Sequence, residues 1–184
     1  MSDPRAERTR SRLREALLRE CAERPLEQVS VAAVVRRAGV GRATFYVHYP
    51  DLEALAVDAC AEVVRDAVDA LHAWRGVPDP AAPPPALAEF FTRAAANASL
   101  YRTLLREGGS GPLGDLLHRE LRERSRTERE LAGGPAPALI ATAVASTFAG
   151  LLADWLHGTI TAPPDRMSSQ TWRLLLALHT TPLE

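Results

Sequence analysis

Arg42, Thr44, Tyr46 and His48 lie close together in the stretch AGVGRATFYVHYP, residues 38 to 50, of a chain in which only 5% of residues are Phe, Trp or Tyr. Their chemistry suits a duplex. An arginine can fork to guanine, a threonine methyl can touch the methyl of thymine, and tyrosine and histidine can donate to phosphate oxygens, which sets register without reading sequence. Gly39 permits a sharp reversal, Val40 and Phe45 can anchor a helix from beneath, and the small Gly41 and Ala43 let a backbone approach DNA. Catalysis finds little to work with. There is no HExxH, GxSxG or phosphate-loop motif, and His72, His118, His157 and His179 fall on separate helices or helix ends. His118 with Glu120, or Asp154 with His157, could hold a metal only if other helices supplied ligands. The expectation is a non-enzyme with no cofactor and no metal.

The elements that must position these side chains are helical almost throughout. Leu13, Ala16, Leu17 and Cys21 make a stripe on a helix from about Pro4 to Glu23. Ser30 can cap a short helix of Val31 to Arg37, with Gly39 as its left-handed end. Gly41 opens a second short helix, which must stop before Pro50. Two short helices joined by AGVG form a helix-turn-helix, whose second helix enters the major groove. Asp51 caps the next helix, which runs to about Trp74 and belongs to both head and body. GVPDPAAPPP, residues 76 to 85, is a loop.

Helices are then expected from Pro85 to about Ala98, from Leu100 to Glu107 with Ser99 as cap, and from Pro112 through a polar, solvated tail, RERSRTERE. Two more follow, at about Ala136 to His157 and Arg166 to Thr180. The class is all-α, with about nine helices and no strands, in two parts. Residues 1–50 form a helix-turn-helix head and residues 51–184 a helical body.

Charge divides along the same line. Residues 1–50 carry a net charge of +4 and the remainder −5, so a polyanion is expected at one end only. All 22 basic residues are arginine, in the acidic body as well as the head, which reads as genome composition more than as recognition. Cys21 and Cys60 read as buried thiols of a cytoplasmic protein. The charged opening MSDPRAERTRSR contains no secretory hydrophobic region. Leu131 to Ala153 lacks charge but is broken by glycine and proline and is rich in alanine, so burial in protein, not a membrane span, is expected.

SVAAVVRRAGVGRATFYVHYPDLEAL, residues 30 to 55, resembles the DNA-binding signature of the tetracycline-repressor (TetR) type of bacterial regulator. The resemblance covers about residues 8 to 58 and extends to chain size and helix count. It implies base-reading positions at Arg42, Ala43 and Thr44, phosphate-holding positions at Tyr46 and His48, and a further phosphate contact at Ser30. The family often has lysine just inside the fourth helix, where this chain has Leu52. Arg36 or Arg37, or the cluster of Arg5, Arg8 and Arg10, could compensate.

The resemblance also implies a homodimer joined through the last two helices, a ligand cavity in the body, and release from a double-stranded operator when a small-molecule effector fills it. Ala141, Ala145, Ala149 and Gly150 form a flat ridge, and together with Trp172 and Leu176 the three alanines are the expected dimer contacts. Phe90, Phe91, Tyr101, Leu105, Leu117, Phe148, Leu151 and Trp155 are apolar enough to line a cavity for a small, largely apolar ligand. NASLYRTLLREGG, residues 97 to 109, is similar to part of one subgroup's ligand domain but identifies no ligand. The expected function is a cytoplasmic repressor; the alternative is an architectural or cell-division factor of the same fold without an inducer.

Overall fold

Helix ends are written into the chain by proline, glycine and capping side chains, and the computed structural model, which describes residues 4–73 and 78–180, follows them closely. The head comprises α1 (Pro4–Glu23), a short 3-10 turn (Leu26–Gln28), α2 (Val31–Ala38) and α3 (Arg42–His48). The Ser30 hydroxyl accepts the Ala33 N–H at 3.2 Å, and Gly39 adopts φ 63° with its N–H turned back to the carbonyls of Val35 and Arg36. A residue with a Cβ at Gly39 would be strained in this left-handed conformation and would sit 2.8 Å from the Arg12 guanidinium. The Asp51 carboxylate accepts the Ala54 N–H at 2.8 Å and starts α4 (Leu52–His72). Trp74, the expected end of this helix, and residues 76 and 77 of the loop lie outside the described residues.

The body follows as α5 (Pro85–Ala96), α6 (Ala98–Leu104), a second 3-10 turn (Glu107–Gly109), α7 (Pro112–Leu131), α8 (Pro137–Leu156) and α9 (Pro164–Thr180). Pro85, Pro112 and Pro137 each occupy a first helical turn, where a missing N–H costs nothing. There are nine α-helices and no strand among the described residues. α4 packs on α1 in the head and on α5 and α7 in the body, α7 lies along α8, and α9 covers α5 and α8. One hydrophobic core runs from Leu13 to Leu176.

Three expectations fail in the body. Ser99 does not cap α6; it lies inside the helix, which follows Asn97 directly, and its carbonyl accepts the Thr103 hydroxyl. The tail of α7 is not solvated all round, because Ser125 and Arg129 continue the Leu121 stripe at four-residue spacing and are buried. The Arg129 guanidinium donates to the carbonyls of Pro135 at 2.7 Å and His179 at 2.6 Å, tying the end of α7 to the next loop and to α9.

The small-residue ridge also has a different use. Ala141, Ala145 and Ala149, with Trp172 and Leu176, are buried within the chain by its own helices. A Cβ on Gly109 would lie 2.9 Å from the Ala149 carbonyl carbon, so the ridge receives this chain's own 3-10 turn. The outward residues of α8 and α9 include Leu139, Thr142 and Ser146, and Gln170 and Leu174. α8 is long and apolar enough to cross a membrane, at a mean hydropathy of 1.6, yet half of it is buried against the other helices.

Candidate nucleic-acid interface

α3 is pinned from below and bare above. Phe45 is fully buried and Tyr49 nearly so, their rings 6.0 Å apart. The Tyr49 hydroxyl donates to Asp58 of α4 at 2.5 Å, and Arg14 of α1 reaches the same carboxylate oxygen at 3.1 Å. One carboxylate therefore joins α1, α3 and α4. Burial, reinforced by Asp58, raises the pKa of Tyr49, so the phenol stays protonated and continues to donate. Burial tends to lower the pKa of Arg14, but hydrogen bonds to Glu7 and Asp58 outweigh it and the net direction is upward.

On the opposite side Arg42, Ala43, Thr44 and Tyr46 are exposed, and His48 is half-buried with its ring 6.5 Å from that of Tyr49. The Arg42 guanidinium lies 5.8 Å from the Tyr46 ring centroid, within cation–π range. Its Nη2 is 3.5 Å from the Tyr46 hydroxyl. Tyr46 in turn meets Phe45 edge to face at 5.2 Å. Buried core thus supports an exposed ring, and the ring supports the cation. Ser30 is exposed at the start of α2, although its hydroxyl also serves as the cap.

Arg36 and Arg37 part company. Arg37 is held by Glu20 at 2.5 Å and Glu23 at 2.6 Å on α1, and those hydrogen bonds, Glu20 foremost, raise its pKa. It clamps α2 to α1. Arg36 is exposed, as are Arg5, Arg8 and Arg10 on the first half of α1. Leu52 packs against the core, as a leucine in place of the family's lysine should. Val47 is 79% exposed on the same face of α3 as Ala43, in register four residues after it and midway between the buried Phe45 and Tyr49.

The residues expected to line a ligand cavity are brought together in the body but touch one another. Phe90 packs on Phe91, Tyr101 and Phe148 with ring centroids 5.6 to 6.2 Å apart, and Phe91 meets Trp155 at 5.4 Å. Leu105 and Leu117 are buried with them, and Leu151 is half-buried. A cleft of about 610 Å³ lies elsewhere, between α7 and α8, lined by Asp115, His118, Arg119, Arg122 and Arg126 together with Ala138 and Ala141.

A short helix, a left-handed glycine turn and a second short helix with outward side chains define a helix-turn-helix of the kind found in DNA-binding regulators. Residues 13–59 match the family model described as bacterial regulatory proteins, tetR family. The match to the tetR family is confined to the head, and the whole chain has the fold of regulators so described. A TetR transcriptional regulator from Rhodococcus sp. RHA1 superposes with a TM-score of 0.64 at 17% identity, covering 99% of this chain and 100% of that one. The TetR family repressor AlkX from Dietzia sp. strain DQ12-45-1b, implicated in biodegradation of n-alkanes, gives 0.60 at 17% identity over 92% and 94%. FadR from Bacillus subtilis, in complex with stearoyl-CoA, gives 0.57 at 17% identity over 91% and 97%. No curated protein matches the sequence.

Proposed function

We propose that the chain works as a homodimeric transcriptional repressor that binds a pseudo-palindromic operator and is released by a small, largely apolar ligand. The observation that carries the DNA-binding part is the outward row on α3, exposed above a buried Phe45 and Tyr49 and unused by folding. Arg42, Ala43 and Thr44 read bases; Tyr46, His48 and Ser30 hold phosphates, with Arg36 and the Arg5, Arg8 and Arg10 cluster adding charge. The head ends near residue 50 and the body begins at 51, with α4 common to both.

The dimer forms on the outward faces of α8 and α9 around Leu139 and Leu174, which are 61% and 48% exposed. A ligand in the body must part the packed rings around Phe90 and Phe148, and the displacement passes to α4 and to α6. Thr103 of α6 donates to Glu27 of the head at 2.8 Å, so the body grips the head at a second point. The alkane and acyl associations stated for AlkX and FadR favour an apolar ligand. The packed ring cluster supports a second reading, a DNA-binding factor without an inducer.

The test is retardation of the chain's own upstream DNA at low salt, repeated with saturated acyl-CoA and free fatty acids. Retardation abolished by one of them supports the whole reading. Retardation unaffected by any of them favours the second, and none at low salt removes both.

A further inference from the structure

Val47 presents a branched apolar side chain to solvent on the one helix argued to enter DNA, and folding gives no reason for it. The apolar anchors of α3 are already supplied by Phe45 and by Tyr49 just past its end, and a β-branched residue on an exposed helix face is disfavoured by propensity as well as by hydration. Ala43, Thr44 and Val47 stand at i, i+1 and i+4, and all three are exposed. Positions three and four apart are neighbours on a helix surface, so the Ala43 methyl, the Thr44 γ-methyl and the Val47 γ-methyls form an apolar strip beside the Arg42–Tyr46 pair.

Resting on the reading that α3 lies in the major groove, we propose that Val47 is a specificity-determining residue that, with Ala43 and Thr44, reads the C5 methyl groups of thymine. That methyl is the apolar group the major groove offers, and neither cytosine nor uracil carries it. The contact also discriminates by exclusion. Valine has no donor or acceptor, so pressing it on the polar edge of another base would strip that edge of water and return no hydrogen bond. Its single preferred rotamer in a helix fixes where the methyls point, so little side-chain freedom is lost on docking.

The experiment uses the full chain and duplexes selected with it from a random-sequence pool, in which each thymidine is replaced singly by deoxyuridine. The expected result is a small set of positions, repeated in each half-site, where uridine weakens binding about fourfold, the value of one buried methyl-sized group. At one of those positions Val47→Ala should bind the thymidine and uridine duplexes within about twofold of each other, having lost the partner of that methyl. Unchanged circular dichroism checks that this exposed substitution leaves the fold alone. Uridine tolerated everywhere by the unaltered chain, or a penalty equally large in Val47→Ala at every position, overturns the proposal and leaves DNA binding standing. Failure to select any retarded duplex overturns the DNA-binding reading itself.

Discussion

At the scale of the residue, the proposed reading gives Arg42 and Tyr46, which touch each other, separable jobs. The ring sits beneath the guanidinium, narrowing its motion and presenting its fork in one plane, while the phenol oxygen remains available to phosphate. Arg42→Ala should relax discrimination at one position per half-site, with a loss of about 1 to 3 kcal/mol for each bidentate contact removed. Tyr46→Phe keeps the ring under the cation and removes only the hydroxyl, so it should weaken all operators alike, by about 1 kcal/mol per half-site. Titration of a panel of single-base operator variants checks both. An Arg42→Ala profile parallel to the original, shifted in affinity but not in preference, would transfer base reading to another residue. The outward placement of Arg42 and Thr44 was legible because polar groups just after a tight turn have few uses in folding. Val47 was not, since a valine beside two aromatics has the composition of core and only its register places it outside.

At the scale of the element, α4 and α7 are joined by a buried polar contact that acid should loosen. The His72 Nδ1 faces the Val68 carbonyl at 2.7 Å and so carries the hydrogen, which leaves Nε2 to accept from the Ser125 hydroxyl at 2.9 Å. Burial lowers the pKa of His72 and outweighs the hydrogen bond to the Val68 carbonyl, which raises it, with His179 of α9 and Arg124 of α7 also lowering it and Glu128 opposing. Burial, then Arg129, lowers that of His179. Both imidazoles are thus harder to protonate in the folded chain than in the unfolded one. Stability should be level above the ordinary histidine value of about 6.5 and fall as pH drops below it, because the unfolded chain then binds more protons. The loss levels off once the folded imidazoles protonate too. Urea midpoints across that range check the sign, and His72→Gln should flatten the dependence in part, leaving the His179 share. Arg129→Met fills similar space but leaves the Pro135 and His179 carbonyls without their donor, at a cost of about 1 to 3 kcal/mol in the same assay. These contacts explain why the tail of α7 misled. A run of charged residues reads as solvated by composition, whereas Ser125 and Arg129 are buried by their spacing from Leu121. Helix ends were legible because Ser30, Gly39, Asp51, Pro85 and Pro112 act locally. The partner of the alanine ridge was not, since which backbone fills a groove depends on where a distant turn returns.

At the scale of the whole molecule, the split between a basic head and an acidic body favours approach to DNA through the head and disfavours it through the body, and on the proposed reading two heads act together. Two recognition helices about 34 to 36 Å apart can each occupy a major groove on one face of the duplex, so affinity depends on the joint that sets their separation. Leu139 and Leu174 are large apolar groups exposed on the helices argued to form that joint, and a charge at each would have to be buried against its symmetry mate. The double variant Leu139→Glu, Leu174→Glu should therefore sediment as a monomer while keeping its helix content, because neither residue is core. Its effect on DNA binding is quantitative in salt. The logarithm of affinity falls with the logarithm of salt concentration with a slope of about −0.9 per phosphate neutralised, so a dimer that loses one head should show about half the original slope. A chain that merely misfolded would lose retardation outright and give no slope, which keeps the two causes apart. If the double variant remains dimeric and its salt slope is unchanged, the joint lies on another face and the separation of the recognition helices is set by other residues.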